Sequence, residues 1–213
     1  MSIISVVGVS TTVAIAYYFG WWALIPGILT AALLSFYRDP PRRVPQRPDA
    51  ILAPADGRIM RIEHEFKTPE GDSALRIVIF LSVLNVHVNR APCAGKVVAI
   101  DYRRGKFLNA IYPESTDLNE SNRVILNPDA PLPGPIHVRQ ITGLLAKRIV
   151  CMLKPGDSLA SGERYGMIKL GSQTEVTLPR SPGWRVCVNV GDQVRGGLTV
   201  LAEFQQDQKH GAA

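Results

Sequence analysis

A long run without charged side chains opens the chain. It covers residues 2–37 and is interrupted by Gly20, Pro26 and Gly27. At about 1.5 Å per residue, the run is long enough for one tilted membrane span or for two short helices hinged near residues 20–22. We favour the hinged pair, because tryptophan and tyrosine cluster mid-run, as in a turn at a membrane interface. The prediction is a hydrophobic helical membrane anchor over residues 1–37; the alternative is a helical hairpin buried inside the protein.

A basic, proline-rich segment, residues 38–49, follows this run. Its arginines are Arg38, Arg42, Arg43 and Arg47. Positive residues beside a hydrophobic segment favour the cytoplasmic side and attract anionic lipid head groups. We therefore expect these arginines to contact head groups and the rest of the chain to face the cytoplasm at the cell membrane. A solvated linker is the alternative.

Residues 50–213 consist of short apolar stretches rich in β-branched residues, separated by Gly, Pro and Asp. Stretches 58–63, 75–81 and 96–101 are examples, and this pattern predicts strands joined by turns. Residues 140–152 fit a helix, although the end of this stretch, residues 149–151, fits a strand equally well. The domain is therefore predicted to be mainly β.

A degenerate internal repeat refines the fold. Residues 54–59 (PADGRI) and 92–97 (PCAGKV) share one pattern, and residues 155–162 (PGDSLASG) and 190–197 (VGDQVRGG) share another. Such turns are typical of biotinyl- and lipoyl-carrier β-sandwiches, so we predict a sandwich or barrel of that kind. The carrier function does not follow, because no Met-Lys-Met carries a modified lysine here.

Composition and charge narrow the function classes. With 213 residues and 46% hydrophobic content, the chain is long enough for one buried domain and an appendage. The net charge of +6 suits nucleic acid or an anionic bilayer, and the uncharged N-terminus favours the bilayer. The three cysteines form no CxxC motif, so we expect buried, reduced thiols. No ligand spacing or phosphate loop indicates a metal or a nucleotide.

Three places are candidates for chemistry. Asp56 lies in a Pro-Ala-Asp-Gly turn, His87 lies in an apolar stretch, and Gly171-Ser172 interrupts a strand-like region. Each has a structural explanation by itself, as a turn residue, a core histidine or a bulge.

Together and in this order, these residues resemble the phosphatidylserine decarboxylases, especially their short form. The matching blocks are 36–42 (FYRDPPR), 54–57 (PADG), the stretch around His87, 140–143 (QITG) with 146–149 (AKRI), and 162–172 (GERYGMIKLGS). The resemblance implies self-cleavage between Gly171 and Ser172, giving a β-chain of residues 1–171 and an α-chain of residues 172–213. It also implies that Ser172 becomes a pyruvoyl cofactor, which forms a Schiff base with phosphatidylserine and yields phosphatidylethanolamine and carbon dioxide.

We assign roles to the three candidates within that chemistry. The Ser172 hydroxyl attacks the preceding carbonyl, His87 is the base, and Asp56 orients His87. Two positions depart from the family pattern. Arg90 stands where long-form relatives have a second histidine, so either His87 serves both stages or His137 or another group contributes. Ser121 replaces an arginine of the short form.

Two other functions remain open from the sequence. One is a pyruvoyl decarboxylase of a soluble amino acid, which needs no hydrophobic N-terminus. The other is a membrane-tethered biotinyl-like binding module without catalysis, which would stay uncleaved. Homo-oligomerisation is also expected, because the edges of a β-sandwich need covering.

Overall fold

The structure, a computed structural model, describes residues 3–68, 70–109, 112, 114–144, 148–168 and 172–205. Two compact units divide the chain, Met1–Pro40 and Pro41–Ala213. Strands hold 42% of the residues and helices 18%. The predicted mainly β fold with an apolar helical N-terminus is confirmed.

The N-terminal unit is a pair of helices, α1 (Ile3–Phe19) and α2 (Leu24–Phe36), joined by a single 3-10 turn, Gly20–Ala23. Gly20 has a φ of 57°, which favours glycine over residues with a side chain. The helices pack closely, because a Cβ on Gly8 would lie 2.6 Å from Thr30 Cγ2. Most large apolar side chains of this unit are exposed, and by length and composition the helical stretch from Val6 to Phe36 is sufficient to cross a membrane.

In its described residues, the second unit contains three antiparallel sheets and one short helix, α3 (Ser115–Leu118). The largest is a curled half-barrel. Its strands, in spatial order, are β13 (Gln193–Val194), β2 (Gly57–Lys67), β3 (Ser73–Leu81), β11 (Ser172–Pro179), β7 (Ile136–Ile141), β6 (Ser121–Pro128), β5 (Gly95–Arg103) and β9 (Ser158–Leu159). The two small sheets are β1 (Ala50–Leu52), β14 (Val200–Phe204), β12 (Trp184–Val186), and β4 (Val88–Arg90), β10 (Arg164–Ile168), β8 (Ile149–Cys151).

The large sheet is connected in the same way from either edge, which indicates a pseudo-two-fold axis. Strands β13, β2, β3 and β11 correspond to β9, β5, β6 and β7, and the two small sheets correspond to each other. The registers agree: Ile59 pairs with Ile79 just before a bulge, as Val97 pairs with Leu126 just before the matching bulge. The axis passes through the pair Val138 and Val176.

The sequence repeats are the trace of this symmetry. Both PxxG blocks enter equivalent strands, β2 and β5, as predicted. In the second repeat, Gly156 and Gly191 both have a φ of 100°, and Asp157 and Asp192 both accept a backbone hydrogen bond at 2.8 Å from the residue three positions earlier. Each turn therefore uses glycine for its backbone and aspartate to close its loop.

The chain builds one half of the domain inside the other. Strands β4–β10 form one half, and they lie in sequence between β3 and β11 of the other half. Two junctions result, one after Leu81 and one before Ser172, and these two residues pair across the sheet. Within residues 140–152, residues 140–141 form the end of β7 and residues 149–151 form β8.

The core lies between the half-barrel and the small sheets. One cluster includes Ile77, Ile79 and Val176, and a second includes Val97, Val124 and Val138. Each cluster is dominated by one half of the domain. Because strand side chains alternate between faces, the neighbouring positions Arg76, Glu175 and Arg139 lie on the opposite, polar face of the sheet.

Candidate active site at a junction between the two halves

Ser172 is the first residue of β11 and is fully buried. It is on the core face with Thr174 and Val176, as strand alternation requires. Among the described residues, its Oγ has no hydrogen-bond partner. Burial of a hydroxyl without a partner costs about 1–3 kcal/mol, so this group is not explained by stability. Gly171 lies outside the described residues.

His87 precedes β4 at the other junction and is fully buried. Its Nδ1 lies 2.9 Å from the carbonyl oxygen of Asn85. A carbonyl only accepts, so Nδ1 donates this hydrogen bond; in the neutral form of the ring, Nε2 would then hold the lone pair. The backbone oxygen of His87 accepts a hydrogen bond of 3.2 Å from Ile168, which precedes Ser172 by a few residues. The structure therefore ties the His87 junction to the Ser172 junction.

Asp56 is held by an arginine that the sequence had assigned to the membrane. Arg42 donates to both carboxylate oxygens, at 2.5 and 2.9 Å, and also to the carbonyl of Gly196. The amide of Gly196 donates to Asp56 at 2.7 Å. We call Arg42, Asp56 and Gly196 the carboxylate clasp. The Asn85 carbonyl, rather than Asp56, contacts Nδ1 of His87, and the orienting role of Asp56 stays a prediction.

The four arginines of the basic segment differ in their surroundings. The Arg42 side chain is 6% exposed, so its guanidinium is committed to the clasp rather than to a head group. Arg47 binds Asp49 and Glu203 at 3.0 and 2.9 Å, which raises its pKa further. Arg38 donates to the carbonyl of Ser35 and Arg43 is exposed. Arg38 and Arg43 are thus the more accessible cations.

A chain of buried side-chain amides, which the sequence reading missed, ends beside the candidate nucleophile. Asn122 donates to Gln140 at 3.0 Å, Gln140 to Asn89 at 2.8 Å, and Asn89 to Thr174 at 3.3 Å. All four are buried. We call them the amide chain. It joins β6, β7, β4 and β11, and three members lie in or beside the sequence blocks singled out above.

The opposite face of the sheet holds a polar cavity of about 290 Å³. Glu175 lies in its wall, 3.6 Å from both Arg76 and Arg139. Burial raises the pKa of Glu175, and the two guanidinium groups only partly offset that effect. His137 lines this cavity and pairs with Thr177, about 17 Å along β11 from Ser172 at 3.3 Å per residue. The structure therefore does not bring His137 to the Ser172 junction.

Other candidate positions also have defined surroundings. Arg90 is buried and donates to the carbonyl of Gly162 at 3.1 Å, and Ser121 is buried beside the polar cavity. The cysteines are free, but burial is complete only for Cys93, whose pKa rises to about 12, whereas Cys187 is exposed. The described residues contain no group of three metal-ligating side chains.

Comparison with known proteins bears on this arrangement. The family model described as phosphatidylserine decarboxylase matches residues 29–202. A protein of Rhodopirellula baltica named phosphatidylserine decarboxylase proenzyme is 45% identical over 93% of this chain and 83% of its own length. Proteins of the same name from Cupriavidus pinatubonensis and Nitrosomonas eutropha are 45% and 42% identical, over 87% and 90% of this chain and 84% and 87% of their own lengths.

The class defined by these matches is that of decarboxylases made as proenzymes. More narrowly, the chain belongs to the phosphatidylserine decarboxylase family. The resemblance read from the sequence is confirmed.

Proposed function

We propose that this chain decarboxylates phosphatidylserine to phosphatidylethanolamine after cutting itself between Gly171 and Ser172. Family membership supports the reaction class. The observation that carries the self-cleavage is the buried Ser172 hydroxyl, which has no hydrogen-bond partner among the described residues. A buried hydroxyl without a partner at the start of a strand does not stabilise the fold, but it is a suitable nucleophile.

Self-cleavage uses groups of the chain itself. His87 Nε2 removes the proton of Ser172 Oγ, which attacks the carbonyl carbon of residue 171; the amide nitrogen takes up the proton as the C–N bond breaks, leaving an ester. Removal of the Ser172 α-proton then expels the residue 171 carboxylate. Water converts the resulting dehydroalanine into a pyruvoyl group and ammonia, so that atoms balance and no external oxidant is needed.

The residues present fit such a group, because Ser172 combines a buried, unpartnered oxygen with a position at the first residue of its strand. When formed, the pyruvoyl group supplies a ketone that accepts the electron pair released with carbon dioxide. His87, fixed through Nδ1 by the Asn85 carbonyl, presents Nε2 for returning a proton to the carbon that lost its carboxylate. The amide chain links Asn89, two residues after His87, to Thr174, two residues after Ser172.

The N-terminal unit supports a lipid substrate. Its apolar helices are compatible with membrane association, and the exposed cations Arg38 and Arg43 suit anionic head groups. We therefore place the second unit on the cytoplasmic face of the membrane, following the positive-inside tendency. The same surfaces disfavour a soluble amino acid as the substrate.

Intact-mass measurement tests the proposal first. The 23.3 kDa chain should separate into two chains cut after residue 171, and the smaller chain should react with a carbonyl reagent. Ser172→Ala should stay full length, because alanine has no hydroxyl to attack or to eliminate. Carbon dioxide release from phosphatidylserine, compared with release from free serine, then distinguishes the lipid enzyme from a soluble amino acid decarboxylase. An uncleaved wild-type chain would support the binding-module alternative.

A further inference from the structure

Three chain segments leave the half-barrel at its Ser172 end. The first follows Leu81, which pairs with Ser172. The second follows Ile141, which pairs with Gln173 and Ser121. The third runs from the end of β5 to the start of β6 and is tied to the second, because Asn119 donates to the carbonyl of Thr142 at 2.8 Å. Since neighbouring strands lie about 4.8 Å apart, the five strands from β3 to β5 span about 19 Å.

These segments expose large apolar side chains. Their exposed fractions lie between 41% and 79%. The residues, which we call the apolar rim, are Val83, Leu84, Tyr112, Leu118 and Leu144. A group of this kind on loops at one end of a sheet is unusual for a surface that meets only water.

The charges beside the rim are mixed with a basic excess. Exposed Arg103, Arg104, Lys106 and Arg148 accompany the exposed acids Glu114 and Asp117. Apolar tips flanked by cations are the combination that binds the interface of an anionic bilayer. A soluble protein partner would need no such match between the rim and the end of the sheet where the candidate nucleophile lies.

We propose that the apolar rim inserts into the surface of an anionic bilayer and holds the Ser172 end of the second unit against the lipid head groups. The inference rests on the proposed function for its substrate. A serine head group stays attached to its acyl chains, so the catalytic end of the domain must meet the bilayer. The rim provides this contact within the second unit itself.

The test uses the full chain with Leu84→Ser and Leu144→Ser combined. Val98→Ser is the matched control, since Val98 is 57% exposed in the middle of β5. The double variant should cleave itself normally and act normally on a short-chain, monomeric phosphatidylserine. On vesicles of long-chain lipid its rate should fall about tenfold, because two apolar side chains no longer enter the bilayer. Equal loss on both substrates, or no loss on vesicles, would overturn the proposal.

A second measurement requires no turnover and separates this proposal from the enzymatic one. Leu84→Trp should be quenched by vesicles with brominated acyl chains beyond the quenching of the wild-type protein, and Val98→Trp should not. Absence of that excess quenching would overturn the proposed role of the apolar rim, even if the chain decarboxylates phosphatidylserine. A concentration-dependent increase in sedimentation mass that the double variant abolishes would assign the rim to self-association and also overturn it. Failure of wild-type activity on the monomeric substrate would count against the proposed function instead.

Discussion

At the scale of single residues, the carboxylate clasp depends on the geometry of one guanidinium. Arg42 forms a two-point contact with Asp56 and also binds the Gly196 carbonyl, which a lysine ammonium would reproduce only in part. Gly196 belongs to the predicted α-chain, whereas Arg42 and Asp56 belong to the β-chain. The clasp would therefore hold the two chains together after cleavage.

Arg42→Ala should slow self-cleavage and lower the free energy of unfolding by about 3–5 kcal/mol, because it leaves the Asp56 carboxylate without its cation. Arg42→Lys should be intermediate. Millimolar guanidinium should accelerate cleavage of Arg42→Ala by refilling the site. Arg43→Ala, which removes an exposed arginine of the same segment, is the control. Cleavage should be followed on gels over time at several pH values. A cleavage rate of Arg42→Ala equal to that of the wild type would contradict this role.

Glu175 provides a pH-dependent term in stability. Its pKa in the folded protein lies above the ordinary value of 4.5, chiefly because of burial. The folded state thus holds the proton more readily than the unfolded state, so its stabilising effect is complete below about pH 4.5 and is lost as the pH rises through the folded pKa. Glu175→Gln should therefore be more stable relative to its parent at pH 8 than at pH 4.5.

Urea unfolding in the uncleaved Ser172→Ala background would measure this difference. Glu65→Gln is the control, because the Glu65 side chain is 79% exposed and should show little pH-dependent difference. A constant offset between the Glu175→Gln variant and its parent at both pH values would argue against a raised pKa.

At the scale of elements, the amide chain joins four strands that come from distant parts of the sequence. Gln140 is its central member, with one donated and one accepted hydrogen bond. Gln140→Met should leave Nδ2 of Asn122 and Oδ1 of Asn89 each without its present partner, at about 1–3 kcal/mol per group. Because Asn89 follows His87 closely in sequence, self-cleavage should slow as well. Gln193→Met, at an exposed position in β13, should change neither urea unfolding nor the cleavage rate.

The sequence predicted elements better than it predicted contacts between them. β-Branched stretches and Gly-Asp turns indicated the strands, and the repeats 54–59 and 92–97 already carried the two-fold relation. The half-within-half arrangement was not readable, because strand order depends on pairings far apart in sequence. The contacts of Arg42 were not readable for the same reason: its sequence neighbours indicate a membrane-facing cluster, whereas its partners lie 14 and 154 residues away. In the sequence, the members of the amide chain are only isolated polar residues, and nothing indicates that they contact one another.

At the scale of the whole molecule, the two compact units separate the predicted tasks of membrane attachment and chemistry. Deletion of residues 1–37 should leave self-cleavage intact, because that reaction is intramolecular. Turnover of long-chain phosphatidylserine in vesicles should fall much further than turnover of a monomeric substrate, because the local concentration given by the anchor is lost.

Co-sedimentation at two salt concentrations would complete this experiment. Residual vesicle binding through Arg38 and Arg43 should weaken as salt increases. Unchanged vesicle turnover by the truncated protein would show that the first 37 residues are no functional anchor.

The position of β11 between β3 and β7 has a consequence for how active molecules arise in a cell. In the sequence, His87 precedes and Ser172 follows the inserted half-domain of strands β4–β10. The proposed reaction therefore brings the two residues together only when that half has formed and β11 has joined the sheet. A chain that misfolds would acquire no reactive ketone and would carry no stray electrophile. If the proposed chemistry holds, the fraction of cleaved chains also measures the fraction of correctly assembled molecules, because only a correctly folded chain can cleave itself and become active.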